Sequence, residues 1–245
     1  LAAESPSPVV LDWLGTAAPA APDGVNWGVP WPKGALRKTD SLALKTADGR
    51  PVPMQTWPLA YWPDGSIKWS GQAIAATAGL DGPLQISVGP AAAPATPIKV
   101  SSEGAWIDVD TGAVRARIGK QGENLIESLF VGDREVAQNG KLILQLEDRS
   151  QYEASRTLRE EDFTSRIESA VVEQSGPVRA VVKITGKHQS TTSDRQWLPF
   201  VVRFYFYAGS GAIRFLVGNR EHHFHRQVAG QLEEVLFVQS AMAAE

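Results

Sequence analysis

The chain has no cysteine, and among its 245 residues only two are methionine and four are histidine. The missing thiol excludes disulfide bonds, Cys-ligated zinc and thiol catalysis. No apolar run approaches the ~18–20 residues of a membrane-spanning helix, so no membrane partner is expected. Neither sign of charge is in excess. Lys and Arg number 24 against 27 Asp and Glu, a net charge of −3. That balance leaves no basic footprint, so nucleic acid is not an expected partner. What is abundant is turn chemistry and indole: 22 Gly, 16 Pro and 8 Trp. Apolar residues at 43% and charged residues at 21% are those of a folded chain with a real core. At ~150 residues per domain, the length suits one large domain or two modest ones.

Leu1-Ala2-Ala3-Glu4-Ser5-Pro6 lacks a charged n-region and an apolar h-region. It has the look of residues beside a small-residue signal-peptidase site, which makes a secreted or periplasmic location one expectation. An arbitrary chain boundary accounts for the same residues equally well.

Gly and Pro recur roughly every 8–12 residues, the spacing of short strands and turns. Residues 89–97 (GPAAAPATP) read as a linker, so the chain is divided into domains 1–94 and 95–245. In the first, strands are predicted at 9–11, 42–46, 54–57, 67–69 and 84–88. Asp48-Gly49 and Pro63-Asp64-Gly65-Ser66 are hairpin turns, with Gly where positive φ is needed. In the second, alternation predicts strands at 106–110, 113–118, 142–146, 166–173, 178–186, 198–207 and 212–217. Residues 156–162 (RTLREED) read as a solvated loop sooner than a helix. No βαβ alternation is present, so the fold is all-β, a small barrel followed by an antiparallel sandwich.

Two segments concentrate aromatics. Asn26-Trp27-Gly28-Val29-Pro30-Trp31-Pro32-Lys33-Gly34 reads as a stiff irregular loop. Exposed Trp faces stack on the apolar C–H faces of sugars; alternatively, both rings plug the barrel, which tryptophan burial favours. The second segment runs from Val52 to Trp69, a hairpin whose handles are Trp57, Tyr61, Trp62 and Trp69. Trp27, Trp31, Tyr61 and Trp62 are the candidate substrate-binding residues.

Leu59-Ala60-Tyr61-Trp62-Pro63-Asp64-Gly65-Ser66-Ile67-Lys68-Trp69, with Trp27 to Gly34 upstream, resembles the amino-terminal module of the exo-rhamnogalacturonan lyase-like family. Residues 176–186 (GPVRAVVKITG) and 200–210 (FVVRFYFYAGS) resemble that family's β-sandwich. The resemblance implies a RIFT-type β-barrel, then a sandwich, then a helical toroid domain. No such helical region is present in these residues, so a missing helical domain or a partner chain is expected to complete the protein. A polysaccharide or oligosaccharide is the implied ligand, built from rhamnose and uronate.

Arg220-Glu221-His222-His223-Phe224-His225-Arg226 holds three of the four histidines. In a strand His223 and His225 share one face. Two such imidazoles could bind a metal. They could also supply a base, with Arg220 and Arg226 masking a uronate carboxylate, as β-elimination requires. An exposed polar segment is the plain alternative. His223, His225, Arg220 and Arg226 are the candidate catalytic residues; no metal site is assigned and any cofactor is unknown. Asp108 with Asp110, and Glu160-Glu161-Asp162, are carboxylate clusters that read as solvated faces rather than a glycosidase pair. Gly209-Ser210-Gly211 is a turn, not a phosphate cradle.

These readings give three functional alternatives beside each other: a non-catalytic β portion of a lyase-like protein, an active uronate-specific lyase, or a carbohydrate-binding or structural module. Limited proteolysis is expected to cut first between Gly89 and Lys99, releasing two resistant fragments; fragment masses check it.

Overall fold

The computed structural model describes residues 6–14, 18, 24–75, 80–148, 152–156 and 158–219. Its strands form four antiparallel sheets, and the one described helix is four residues long, Tyr152–Ser155. The all-β expectation therefore holds.

The first half comprises β1 (Val9–Leu11), β2 (Val25–Pro30), β3 (Leu42–Thr46), β4 (Pro51–Val52), β5 (Gln55–Tyr61), β6 (Ile67–Ile74) and β7 (Leu84–Val88). One sheet has the order β1-β7-β3-β4 and the other β2-β6-β5. Alternation sends Leu42, Leu44, Leu84 and Ile86 from the first, and Val29 and Ile74 from the second, into one shared core. Ile74 and Ile86 are fully sealed.

The second half is a sandwich. Its first sheet has the order β12-β11-β10-β9-β8, built from β8 (Lys99–Glu103), β9 (Trp106–Asp110), β10 (Val114–Gly119), β11 (Ile126–Val131) and β12 (Arg134–Gly140). The facing sheet has the order β13-β14-β15-β16-β17. These strands are β13 (Ile143–Asp148), β14 (Arg159–Ser175), β15 (Arg179–Ser190), β16 (Gln196–Tyr207) and β17 (Arg214–Asn219). Ile107, Val109, Ala116 and Ile118 meet Val182, Ile184, Val202 and Phe204 between the sheets.

Three sequence expectations are corrected. The Trp27 segment, read as an irregular loop, is strand β2 through Pro30, because its alternate residues Val25, Trp27 and Val29 face the barrel core. The charged stretch 156–162, read as a loop, supplies the start of β14 from Arg159. Its polar side chains lie opposite those of β13, with Gln145 and Glu147 across from Asp162 and Glu160. The hairpin β11–β12 was missed, because its apolar pattern is thin: Arg134, Glu135, Gln138 and Asn139 are all exposed.

The two halves meet through buried polar contacts. The Gln55 side-chain oxygen accepts hydrogen bonds from the backbone N–H of Val178, at 3.1 Å, and of Arg179, at 2.7 Å. Tyr207 Oη donates to Asn26 Oδ1 at 3.2 Å. The Tyr207 ring lies where a side chain on Gly24 would stand, with a Cβ there only 1.9 Å from it.

The β5–β6 turn has the geometry its residues dictate. Gly65 has φ 83°, its N–H reaches the Trp62 carbonyl at 2.9 Å, and Ser66 N–H is held by Asp64 Oδ1 at 3.0 Å. Gly65→Val forces a β-branched residue into the left-handed region and is expected to cost roughly 1–2 kcal/mol. Denaturant unfolding checks it, and an unchanged midpoint contradicts the strain argument.

Candidate saccharide-binding site

The two aromatic segments are joined. Trp62 Nε1 donates to the Trp31 carbonyl at 3.0 Å, and the Gly34 N–H donates to Ser66 Oγ at 2.9 Å. Backbone bonds from Trp31 to Lys68 and from Ile67 to Leu36 complete the seam. Ser66 can accept from Gly34 because its own hydroxyl proton goes to Asp64 Oδ1, 2.6 Å away. Those Ser66 bonds hold the Asp64 carboxyl below its usual pKa.

The four candidate binding residues then separate. Trp31 is 3% exposed, and its Nε1 donates to the buried Ser70 hydroxyl at 2.7 Å. Trp27 packs on the barrel core with its Nε1 buried and, among the described residues, unpartnered. Trp31 thus packs inside the barrel, and Trp27 lies partly buried against the same core. Tyr61 is 44% exposed, and Trp62 is half-buried beside it. Lys38 Nζ stands 4.3 Å from the Tyr61 ring centroid and Lys68 Nζ 4.7 Å from that of Trp62. Each ring, with an ammonium against it, is a patch that is apolar and cationic at once.

The candidate catalytic residues Arg220, His223, His225 and Arg226 lie outside the described residues. The carboxylate clusters are within them, and Asp108, Asp110, Glu161 and Asp162 have partners. Asp108 and Asp110 project from one face of β9 into a groove of about 590 Å³ with Arg115, Arg117 and Phe130. There Arg117 grips Asp108 through two bonds, at 2.7 and 3.1 Å, and Asp110 Oδ1 accepts the Gly112 N–H at 2.8 Å. Glu161 is held by Arg195, and Asp162 Oδ1 accepts from Gln145 at 3.1 Å. Among the described residues no three Asp, Glu or His side chains are grouped as metal ligands.

Two residues escaped the sequence reading. His188 is 3% exposed on β15, with Nδ1 2.7 Å from the Leu198 carbonyl and its ring edge-on to Phe200. The alternation Ile184, Gly186, His188 was the signal that could have placed it inward. Arg179, at the start of β15, is 8% exposed and stacked between Trp57 at 4.7 Å and Tyr205 at 5.1 Å. Burial lowers its pKa from the usual guanidinium value. Nothing in its strand pattern marks it, because its period-2 position faces away from the sandwich core.

The matches to known proteins cover both halves. Residues 7–89 match the model described as PcRGLX-like N-terminal RIFT barrel domain, and residues 98–223 the PcRGLX-like protein central beta sandwich domain. The chain belongs to the PcRGLX-like family. It is 38% identical over 203 residues to the uncharacterized protein YetA of Bacillus subtilis (strain 168). That alignment takes in 83% of this chain and 24% of YetA, so the chain spans about a quarter of the curated relative it matches.

Burial depresses the His188 pKa from its ordinary value of 6.5, outweighing the opposing effect of the Leu198 carbonyl. The folded state therefore takes up its proton less readily than the unfolded chain. The resulting stability is complete above about pH 6.5 and is lost as pH falls through the lower, folded-state pKa. His188→Gln is expected to flatten this part of the stability profile, read as the denaturant midpoint between about pH 7 and pH 5.

Proposed function

We propose that this chain is the non-catalytic β portion of a polysaccharide lyase-like protein that acts on a rhamnose- and uronate-containing polymer. Its role in this reading is to hold saccharide beside catalytic groups carried elsewhere in the longer protein. The observation behind it is the joined aromatic seam, in which Tyr61 is exposed and Trp62 half-buried, with Lys38 and Lys68 against their rings. Rings take the apolar faces of sugars, and the ammoniums favour the carboxylates of uronates. The family membership supports the same class of ligand. Such a polymer is met outside the cytoplasm, so a secreted or periplasmic location belongs to the proposal.

Elimination needs a base, a group that masks the uronate charge and an enclosing cleft, all at once. The carboxylates of the groove are tied to Arg117 and to a backbone N–H, and His188 is sealed in the sandwich. The chain is accordingly expected to give no rise in absorbance near 235 nm, where an unsaturated uronate would appear, with rhamnogalacturonan. Oligosaccharide is expected to quench its tryptophan fluorescence, and Trp62→Ala with Tyr61→Ala to weaken that response. A rise at 235 nm that survives repurification of the chain identifies an active lyase instead.

A further inference from the structure

The outer face of the β2-β6-β5 sheet is a glycine floor carrying two indoles. Gly28 and Gly71 are directly paired across β2 and β6, and Trp57 of β5 is the next neighbour in that row. A Cβ on Gly71 would fall 2.4 Å from the Trp57 ring, so the indole lies flat on the bare backbone. Trp69, two residues before Gly71 on β6, rests against Gly28, whose Cβ position is 3.5 Å from its ring. It leaves 41% of its surface open, a large share for an indole.

The row ends at the sandwich. Trp57 is covered by the Arg179 guanidinium, which Tyr205 backs from the other side. Arg179 is nine-tenths buried, and its Nε and Nη1 are sealed with no hydrogen-bond partner among the described residues. The charged or ionisable groups that face it are Tyr205, Tyr207 and a second cation, Arg214. A buried guanidinium with orphan donors is costly until an anion meets it. Among the described residues no carboxylate acts on Arg179, and one arriving at the guanidinium would form a charge-assisted pair.

We infer that Trp69, Trp57 and Arg179 form an acidic-sugar subsite across the barrel–sandwich junction, in which a sugar ring stacks on Trp69 and its uronate carboxylate pairs with Arg179. This deepens the saccharide-binding reading and rests on it, but uses residues separate from Tyr61 and Trp62. The ligand is an oligosaccharide bearing a free carboxylate. A carboxylate from another part of the longer protein is the competing occupant.

The test uses a galacturonate trisaccharide and its fully methyl-esterified form, titrated into the chain by calorimetry. The acid is expected to bind at least tenfold more tightly than the ester. Trp69→Ala, at an exposed position, should weaken both at least tenfold with an unchanged melting temperature. Arg179→Gln should bring the acid down to the affinity of the ester, and Arg179→Lys should restore part of the gap. Should Arg179→Gln not fold, the acid-to-ester ratio of the wild type and the Trp69→Ala result still decide. Equal affinity for acid and ester overturns the role of Arg179 and leaves it to a carboxylate of the protein itself. Binding that is indifferent to Trp69→Ala removes the subsite while the saccharide reading stands on Tyr61 and Trp62. No binding of either sugar overturns both.

Discussion

The geometry of the whole molecule hangs on a single buried amide. Gln55, at the start of β5 and 9% exposed, accepts the N–H groups of both Val178 and Arg179 as β15 begins. A satisfied hydrogen bond of this kind adds only about 0.5–1.5 kcal/mol, but an N–H left orphaned in the same place costs about 1–3 kcal/mol. The asymmetry favours one docking of barrel on sandwich over near alternatives. Gly176 is part of the same constraint, because a Cβ there would stand 2.3 Å from the Gln55 side chain. With Gln55 seated, Tyr207 lies over Gly24 and the guanidinium of Arg179 comes to rest on Trp57.

The indoles are divided between interior and surface by the pleat of β2 and β6 and by the loop that follows β2. Trp27 and Trp31 go inward, where their large apolar area adds most to a small barrel core. The buried Ser70 hydroxyl gives the Trp31 N–H a partner, which makes that burial tolerable. Trp57 and Trp69 go outward, and the glycines beneath them let the rings lie flat against the sheet. The same hairpin therefore contributes a core plug through its seam with Trp31, a cation-bearing pair at Tyr61 and Trp62, and an open indole at Trp69.

Charge on the sandwich follows the opposite logic. Its exposed faces are laced with matched pairs: Arg117 with Asp108, Arg203 and Lys183 with Glu173, and Lys187 with Glu168. Exposed pairs of this kind add ~0–1 kcal/mol each and mainly neutralise the surface. Arg179 departs from that pattern, being buried, between two aromatic rings and without a carboxylate among the described residues.

Much of the fold was legible in local pattern. Strict alternation located β3, β7 and β9 to the residue, and Pro63-Asp64-Gly65-Ser66 foretold the positive φ at Gly65, because these signals depend only on neighbours in the chain. The motif around Trp62 and Gly65 was enough for the family. The sequence could not say which tryptophans are open, since that depends on whether a facing strand presents glycine, as Gly28 does to Trp69, or a closed core, as Ser70 and its neighbours do to Trp31. Arg179 was illegible for a related reason. Its position in the period-2 pattern points it away from the sandwich core, and only the docked barrel turns that outer face into an interior. Alternation is a property of one strand, whereas burial at a junction is a property of two folded bodies and the polar contacts that seat one on the other.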